Sequence, residues 1–270
     1  MTPSDHIRGL LAQRGIVWPA PIEHLPTAGS TNDRLKERLR EGAAEWTAVV
    51  ADVQTSGRGR HGRSWSSHAG DLALSVVVRP PGTPDALLLL PLAAGVAVAE
   101  AASELGAAAS LKWPNDVVVE RGRADGADYG KLAGILVEGV SEGQCMAAVI
   151  GVGLNLVERE HEDPELRARA TSLRAATGRD ADRDVAAAAV LARMRVWYDA
   201  VARGDAGAVV EAFTARALPW WGRPVEVRSG NTALRGIARG IDSRGALLLE
   251  LFDGTTAAVV SGEARQVRLR

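Results

Sequence analysis

Cys145 is the chain's only cysteine, which excludes an internal disulfide. No Cys/His cluster has the spacing of a zinc site either, so a reducing cytoplasm is the expected setting. Cys145 itself reads as a small, half-buried apolar residue of a strand. An excess of either charge is also missing: 32 Lys and Arg stand against 33 Asp and Glu. No overall field draws the chain to nucleic acid or to an anionic membrane, and any basic site must be local. The start, MTPSDHIRGLLAQRG, lacks the basic-then-apolar order of a signal peptide. The longest uncharged apolar stretch, 86–99, is about 14 residues and contains Pro91, whereas a membrane span needs about 20. It reads as a buried core helix, and no membrane partner is expected. Repeats and low-complexity linkers are absent as well.

What remains is an ordinary globular composition: 270 residues, 46% hydrophobic, enough for one large domain with or without a small one. Residues 1–25 read as a short, Pro-containing, irregular extension, below the usual domain minimum of about 50. At Ser30 and Thr31 a hydroxyl cap precedes Asp33, and Leu35 and Leu39 fall four apart, so a short amphipathic helix begins there. Residues 47–54 and 72–79 read as strands flanking a Gly- and Arg-rich loop. A helix capped at Asp85 runs to about Leu105, and 116–120, 132–138 and 146–154 read as strands. An Ala-rich helix starts at Asp184, and a second continues through Phe213. Beyond Pro219, short alternating strands are separated by Gly230-Asn231, Arg244-Gly245 and Asp253-Gly254. The expectation is an α+β fold: a catalytic domain over 26–217 and a small all-β barrel over 218–270. Residues 121–130 are expected to form a mobile hairpin tip.

Three motifs are misleading. GVGLNL, 151–156, starts like a dinucleotide fingerprint but has Leu156 in place of the last glycine and no helix after it. GVSEG, 139–143, matches a nucleophile elbow but lies between two strand-like runs, so Ser141 reads as a hairpin turn residue. Gly130-Lys131 fails the spacing of a phosphate-binding loop. His61 and His68 have no spaced partners for a metal.

Four other segments carry polar groups that a purely structural role does not need. GSTN, 29–32, sets side-chain oxygens beside the free amides of a helix start, a corner suited to a small polar ring, although a plain helix cap accounts for it alone. QTSGRGRHGRSW, 54–65, alternates three arginines with three glycines; glycine lets the backbone approach a ligand, and arginine offers forked donors to an anion. A solvated charged loop or an RNA-binding patch are the rival readings, and the second usually needs a wider basic field. LKWPNDV, 111–117, brings Lys112, Asn115 and Asp116 together after a strand, able to hold phosphate and magnesium or to pair with each other. GKLAGILVE, 130–138, opens an apolar strand with Lys131.

In this order, and followed by VIGVGLN, these segments resemble the biotin–protein ligase family, from about residue 27 to the C-terminus, where RGIDSRGALLLE (239–250) is similar to the family's C-terminal domain. The resemblance implies a mixed sheet with helices, similar to class II aminoacyl-tRNA synthetases and lipoate ligases, plus an SH3-like C-terminal domain. It implies two steps through an acyl-adenylate, with biotin and ATP as substrates, Mg²⁺ as the metal and no permanently bound cofactor. By position it assigns Ser30, Thr31, Asn32, Gln54, Gly57, Arg58, Gly59, Arg60, Trp65 and Lys131 to biotin, with Gly134 and Gly153 in the pocket wall. Arg58, Arg60, Lys112, Asn115 and Asn155 fall to ATP and the adenylate, and Asp116 to the metal. Lys131, Arg60, Lys112 and Asp116 form the catalytic set.

The chemistry is consistent with that assignment. Joining a carboxylate to a phosphate brings two anions together, so cations must neutralise them, and Asp116 is a candidate to orient or accept a proton from the attacking lysine. The Arg/Gly loop is expected to close as a lid that keeps water from the mixed anhydride. The implied partner is the biotin carboxyl carrier domain of an acyl-CoA carboxylase. A sheet edge could serve that carrier or a homodimer. Some members carry an N-terminal winged helix, which roughly 25 residues cannot form, so sequence-specific DNA binding is not expected. A lipoate–protein ligase and a non-enzymatic biotin- or nucleotide-binding regulator are the alternatives.

Overall fold

A computed structural model of the chain describes every residue except 82–83, 122–127, 143–144, 160–162, 231 and 268–270. The first 25 residues are not the irregular extension expected. Thr2 and Asp5 form a reciprocal capping box, Pro3 takes the first helical position, and α1 runs Pro3–Gln13. Ile7 and Leu11, four apart, are buried by packing on a later helix, and His6 Nδ1 lies 2.9 Å from Asp184 Oδ2 there. β1 (Ile22–Ala28) follows, then α2 (Thr31–Arg40), β2 (Ala48–Gln54) and β3 (Leu72–Val78). The apolar stretch becomes α3 (Pro84–Glu104), which continues through Pro91. It is long and apolar enough to cross a membrane, yet it is mostly buried inside the protein. Its packing outweighs the ~3 kcal/mol that an interior proline costs.

β4 (Ala109–Lys112), β5 (Asp116–Glu120), β6 (Tyr129–Glu142) and β7 (Cys145–Leu154) complete a seven-stranded sheet in the order β1-β2-β3-β7-β6-β5-β4. Only the β1–β2 pair is parallel. Ser141 is a strand residue and not a turn residue: it pairs with Met146 in the β6–β7 ladder, one pair before Glu142 with Cys145. The expected mobile tip at 121–130 falls mainly on residues 122–127, outside the described residues, as does the side chain of Cys145.

Period-2 alternation gives this sheet two different faces. On β7, Ala148, Ile150, Val152 and Leu154 enter the main core beneath α3 and the helices α6 (Arg183–Ala202) and α7 (Ala206–Arg216). The other face of β7 carries Ala147 and Val149, which with Val49 and Val77 receive Leu35 and Leu39 of α2. The same face continues as Gly151, against which Asn32 at the start of α2 lies, and then as Gly153, which pairs with Gly134 on β6. Small residues there leave an open floor.

Two short helices, α4 (Pro164–Arg169) and α5 (Leu173–Thr177), lie between β7 and α6. After α7, the strands β8 (Pro224–Ser229), β9 (Thr232–Ile241), β10 (Leu247–Leu251), β11 (Thr256–Val259) and β12 (Glu263–Gln266) form an antiparallel sheet ordered β11-β10-β9-β8-β12. Gly245 and Gly254 stand at their expected turns with φ of 84° each. β12 had no sequence signal: EARQ is short and polar, but it pairs with β8 and buries Ala264. The two sheets are linked where Trp113 Nε1 donates to Gly245 O at 3.0 Å.

Candidate active site

The open floor belongs to a cavity of about 520 Å³. Every residue assigned to biotin, the adenylate or the metal lines it except Gly57. A Cβ on Gly57 would stand 2.5 Å from Trp65 O, so that glycine allows the two arms of the loop to approach each other.

One end of the cavity is neutral. Ser30 caps α2, and Thr31 donates from both its N and its Oγ1 to Gln54 Oε1, at 2.9 and 3.1 Å, joining α2 to the end of β2. Ser75 lies 2.7 Å from Thr31 Oγ1 and 2.6 Å from Asn32 Oδ1. Ser30, Thr31, Asn32 and Ser75 are all buried. Ser75 and Glu138, which accepts from Asn32 Nδ2 at 2.7 Å, went unnoticed in the sequence. The signal was present: Ser75 is the one hydroxyl in the wholly buried run LALSVVV, and Glu138 ends the apolar run of KLAGILVE.

The loop 57–65 is a tight hairpin, with Trp65 N donating to Gly57 O at 2.8 Å and Gly59 N to Arg63 O at 2.7 Å. His61 and Gly62 at its tip have φ of 56° and 72°, a strained conformation for the histidine. Its arginines point three ways. Arg58 donates to Asp33 Oδ1 at 2.5 Å and to Glu138 Oε2 at 2.9 Å, and Arg63 to Glu263 Oε2 at 2.7 Å. Arg60 donates to two neutral oxygens, Asn115 Oδ1 at 3.1 Å and Gly262 O at 3.2 Å. Burial pulls Arg60 below its ordinary pKa against the raising influence of Asp116. Of the two arginines assigned to the adenylate, Arg58 is paired with carboxylates, and Arg60 is the one whose hydrogen bonds leave its charge uncompensated by a carboxylate. Trp65 lies over the floor, where a Cβ on Gly134 would come 3.0 Å from its ring and one on Gly153 would overlap it.

The other end is cationic. Lys112 ends β4 opposite Asp116 at the start of β5, and Lys131 comes from β6. Lys131 Nζ lies 2.6 Å from Asp116 Oδ1, and Lys112 Nζ lies 3.9 Å from Asp116 Oδ2. Lys131 also stands 5.4 Å from the centroid of the Trp65 ring. Burial lowers the Lys112 pKa, opposed by Asp116 and Glu263. Asn155 donates its amide to Lys131 O at 3.2 Å and Thr171 O at 2.9 Å, so its NH₂ group braces the wall. Gly262, Glu263, Arg265 and Gln266, at and around β12, close the cavity from the second sheet.

A neutral hydrogen-bonding end and a cationic end in one cavity suit a bipartite ligand that joins a small polar ring to phosphate. Comparison with known proteins says which family built it. The model of the biotin/lipoate A/B protein ligase family matches residues 25–155, and that of the biotin protein ligase C-terminal domain matches 221–264. The biotin–[acetyl-CoA-carboxylase] ligase of Mycobacterium tuberculosis is 35% identical, over 99% of this chain and 100% of its own length. The chain belongs to the biotin–protein ligase family. The bifunctional ligase/repressor BirA of Escherichia coli is likewise 35% identical, over 88% of this chain and 72% of that one. Among solved structures, the biotin protein ligase of Aquifex aeolicus in complex with biotin and ATP superposes with a TM-score of 0.77 at 32% identity, covering 91% of this chain and 99% of that one. For a biotin–protein ligase family member, the α+β architecture with a C-terminal antiparallel sheet is the family's own. Each assigned residue from Ser30 to Asn155 lies inside the first matched segment, and Glu263 lies inside the second.

Proposed function

We propose that this chain activates biotin with ATP to biotinyl-5′-AMP and then transfers the biotinyl group to one lysine of the biotin carboxyl carrier domain of an acyl-CoA carboxylase. The observation that carries the reading is the cavity's polarity: the Ser30, Thr31, Gln54 corner at one end, and Lys131 and Lys112 around Asp116 at the other. In the first step a biotin carboxylate oxygen attacks the α-phosphorus of ATP and pyrophosphate leaves. Lys131, Lys112 and Arg60 offset the charge of two anions brought together, in a partly desolvated site where such interactions are strongest. The corner and the Gly134/Gly153 floor hold the ring, which converts the encounter into an oriented, effectively unimolecular step.

Asp116, between Lys112 and Lys131, is the carboxylate that would hold Mg²⁺, an ion bound through one or two carboxylates while water and phosphate oxygens supply its other ligands. When bound, the ion supplies further neutralisation of the phosphates. In the second step the carrier lysine's neutral amine attacks the anhydride carbonyl and AMP leaves with the bonding electrons. Asp116, in hydrogen-bonding range of an ammonium already, is placed to orient that amine or take its proton. The Arg58 to Trp65 loop, held between Glu138 and Glu263, covers the intermediate against water. A cytoplasmic setting belongs to the same proposal, since the reaction draws on ATP and an apo-carboxylase.

The test is incubation of the protein with biotin, Mg·ATP and an apo carrier domain, following the carrier's mass beside a parallel lipoate reaction. An ATP-dependent gain of one biotin is the expected outcome. A lipoate adduct instead, or no adduct, overturns the reading.

A further inference from the structure

Glu138 shares the sheet face of Gly134 but stands beside the cavity and does not line it, and it touches both α2 and the loop. Its carboxylate accepts from Lys36 Nζ at 2.6 Å and Asn32 Nδ2 at 2.7 Å, both on α2, and from Arg58 Nη2 at 2.9 Å on the loop. A carboxylate only accepts, so the Asn32 amide must turn its NH₂ group towards Glu138. The second oxygen near that NH₂ group, Leu136 O at 3.4 Å, is also an acceptor and agrees with this orientation. Asn32 Oδ1 is thereby aimed at Ser75, which has one hydroxyl proton to give and lies 2.6 Å away. With that proton committed, Ser75 Oγ faces Thr31 Oγ1 as an acceptor at 2.7 Å, and the Thr31 hydroxyl proton in turn goes into the wall, to Ser75 or to Gln54 Oε1. Either way the Thr31 proton is kept from the cavity, and the orientations of Asn32 and Ser75 follow from the acceptor at the end of the chain.

The glycine beneath Asn32 makes room for it: a Cβ on Gly151 would overlap Asn32 Oδ1 and come 3.0 Å from its Cγ. Burial works against ionisation of Glu138, but the hydrogen bonds from Lys36 and Asn32 and the charges of Lys36 and Arg58 outweigh it and hold the carboxyl below its ordinary value. The acceptor is therefore kept charged.

We propose that Glu138 is a positioning residue for biotin recognition: from outside the cavity it fixes the Asn32 amide, and through it the hydroxyls of Ser75 and Thr31, while the same carboxylate anchors Arg58 and the start of the loop. A ureido ring, with N–H and C=O in fixed places, reads the donor and acceptor pattern that this chain sets. The proposal rests on the biotin reading of the cavity.

The experiment compares wild type, Glu138→Gln, Lys36→Met and Ser75→Ala in biotin-dependent pyrophosphate release at saturating ATP, with thermal midpoints and tryptic cleavage within 58–63 measured alongside. A glutamine can present either end of its amide to Asn32 and gives Arg58 no charge. Glu138→Gln should therefore raise KM for biotin about tenfold with kcat within about twofold, the mark of lost ground-state binding, and speed cleavage of the loop. Lys36→Met removes a partner of Glu138 but neither the polarity nor the Arg58 contact, so KM should stay within about twofold. Ser75→Ala breaks the chain at a neutral point, so KM should rise with loop cleavage unchanged. A KM for Glu138→Gln that equals wild type, or that Lys36→Met matches, overturns the proposal. Should Glu138→Gln fail to fold, an unchanged KM in Ser75→Ala overturns it just as well. Absence of turnover in the wild type sinks the biotin reading itself; an active wild type with an indifferent Glu138→Gln sinks only the role of Glu138.

Discussion

The guanidinium of Arg63 and the carboxylate of Glu263 meet at 2.7 Å, joining a loop that lines the cavity to the last strand of the C-terminal sheet. Arg265 shares that carboxylate at 3.0 Å. Burial disfavours the charge on Glu263, but the hydrogen bond from Arg265 and the charges of Arg63, Arg265 and Lys112 overcome it and bring its pKa down to about 2.

A pH dependence of stability follows. A carboxyl whose pKa is depressed on folding binds fewer protons folded than unfolded, so its stabilisation is complete above the ordinary glutamate value of 4.5 and disappears as pH falls towards 2. Thermal midpoints of wild type and Glu263→Gln should differ at pH 6 and converge in acid. Parallel curves across that window would refute the linkage.

Lys131→Ala should lower adenylate formation by about 10² to 10³, the usual cost of deleting a donor aimed at developing charge. The fold should survive, because Lys131 is partly exposed and Asp116 keeps Lys112 nearby. Pyrophosphate release together with a melting curve separates the two effects, and unchanged turnover refutes the role.

Half-buried Lys112 has a pKa below that of an ordinary lysine, so its ammonium is lost earlier as pH rises. The rate of adenylate formation should therefore decline on the alkaline side sooner than a solvated lysine would allow. Lys112→Arg, which stays charged, should move that decline to higher pH whatever it does to the maximum. Superimposable pH profiles would count against a cationic task for Lys112.

Gly153→Ala puts a methyl group where the Trp65 indole lies. Either the ring is displaced or the strands shift, at about 1–3 kcal/mol, the common cost of overpacking. Urea denaturation should show the loss, and biotin affinity should fall with it because the loop that ends on Trp65 no longer seats. Unaltered stability and affinity would mean that the floor tolerates side chains.

The sequence went far towards the site because the residues that carry the chemistry stand in short local clusters: GSTN, GRGRHGRSW, KWPND and KLAGILVE. The alternation of β6 and β7 and the turn glycines Gly245 and Gly254 were legible for the same reason, since each depends on neighbours along the chain. Even the misread start was locally encoded, in the Thr2 and Asp5 capping box and the four-residue spacing of Ile7 and Leu11. What local pattern could not supply were contacts between distant segments. Nothing near Glu138 announces that it will meet Asn32 and Arg58, separated from it by 106 and 80 residues. Nothing in EARQ announces that Glu263 will hold a loop 200 residues away. The sequence by itself determined which chemical groups are present and which strands and helices carry them. Tertiary structure alone decided which arginines are paired and which remains for an anion, because pairing depends on distances between segments that only the folded sheet brings together.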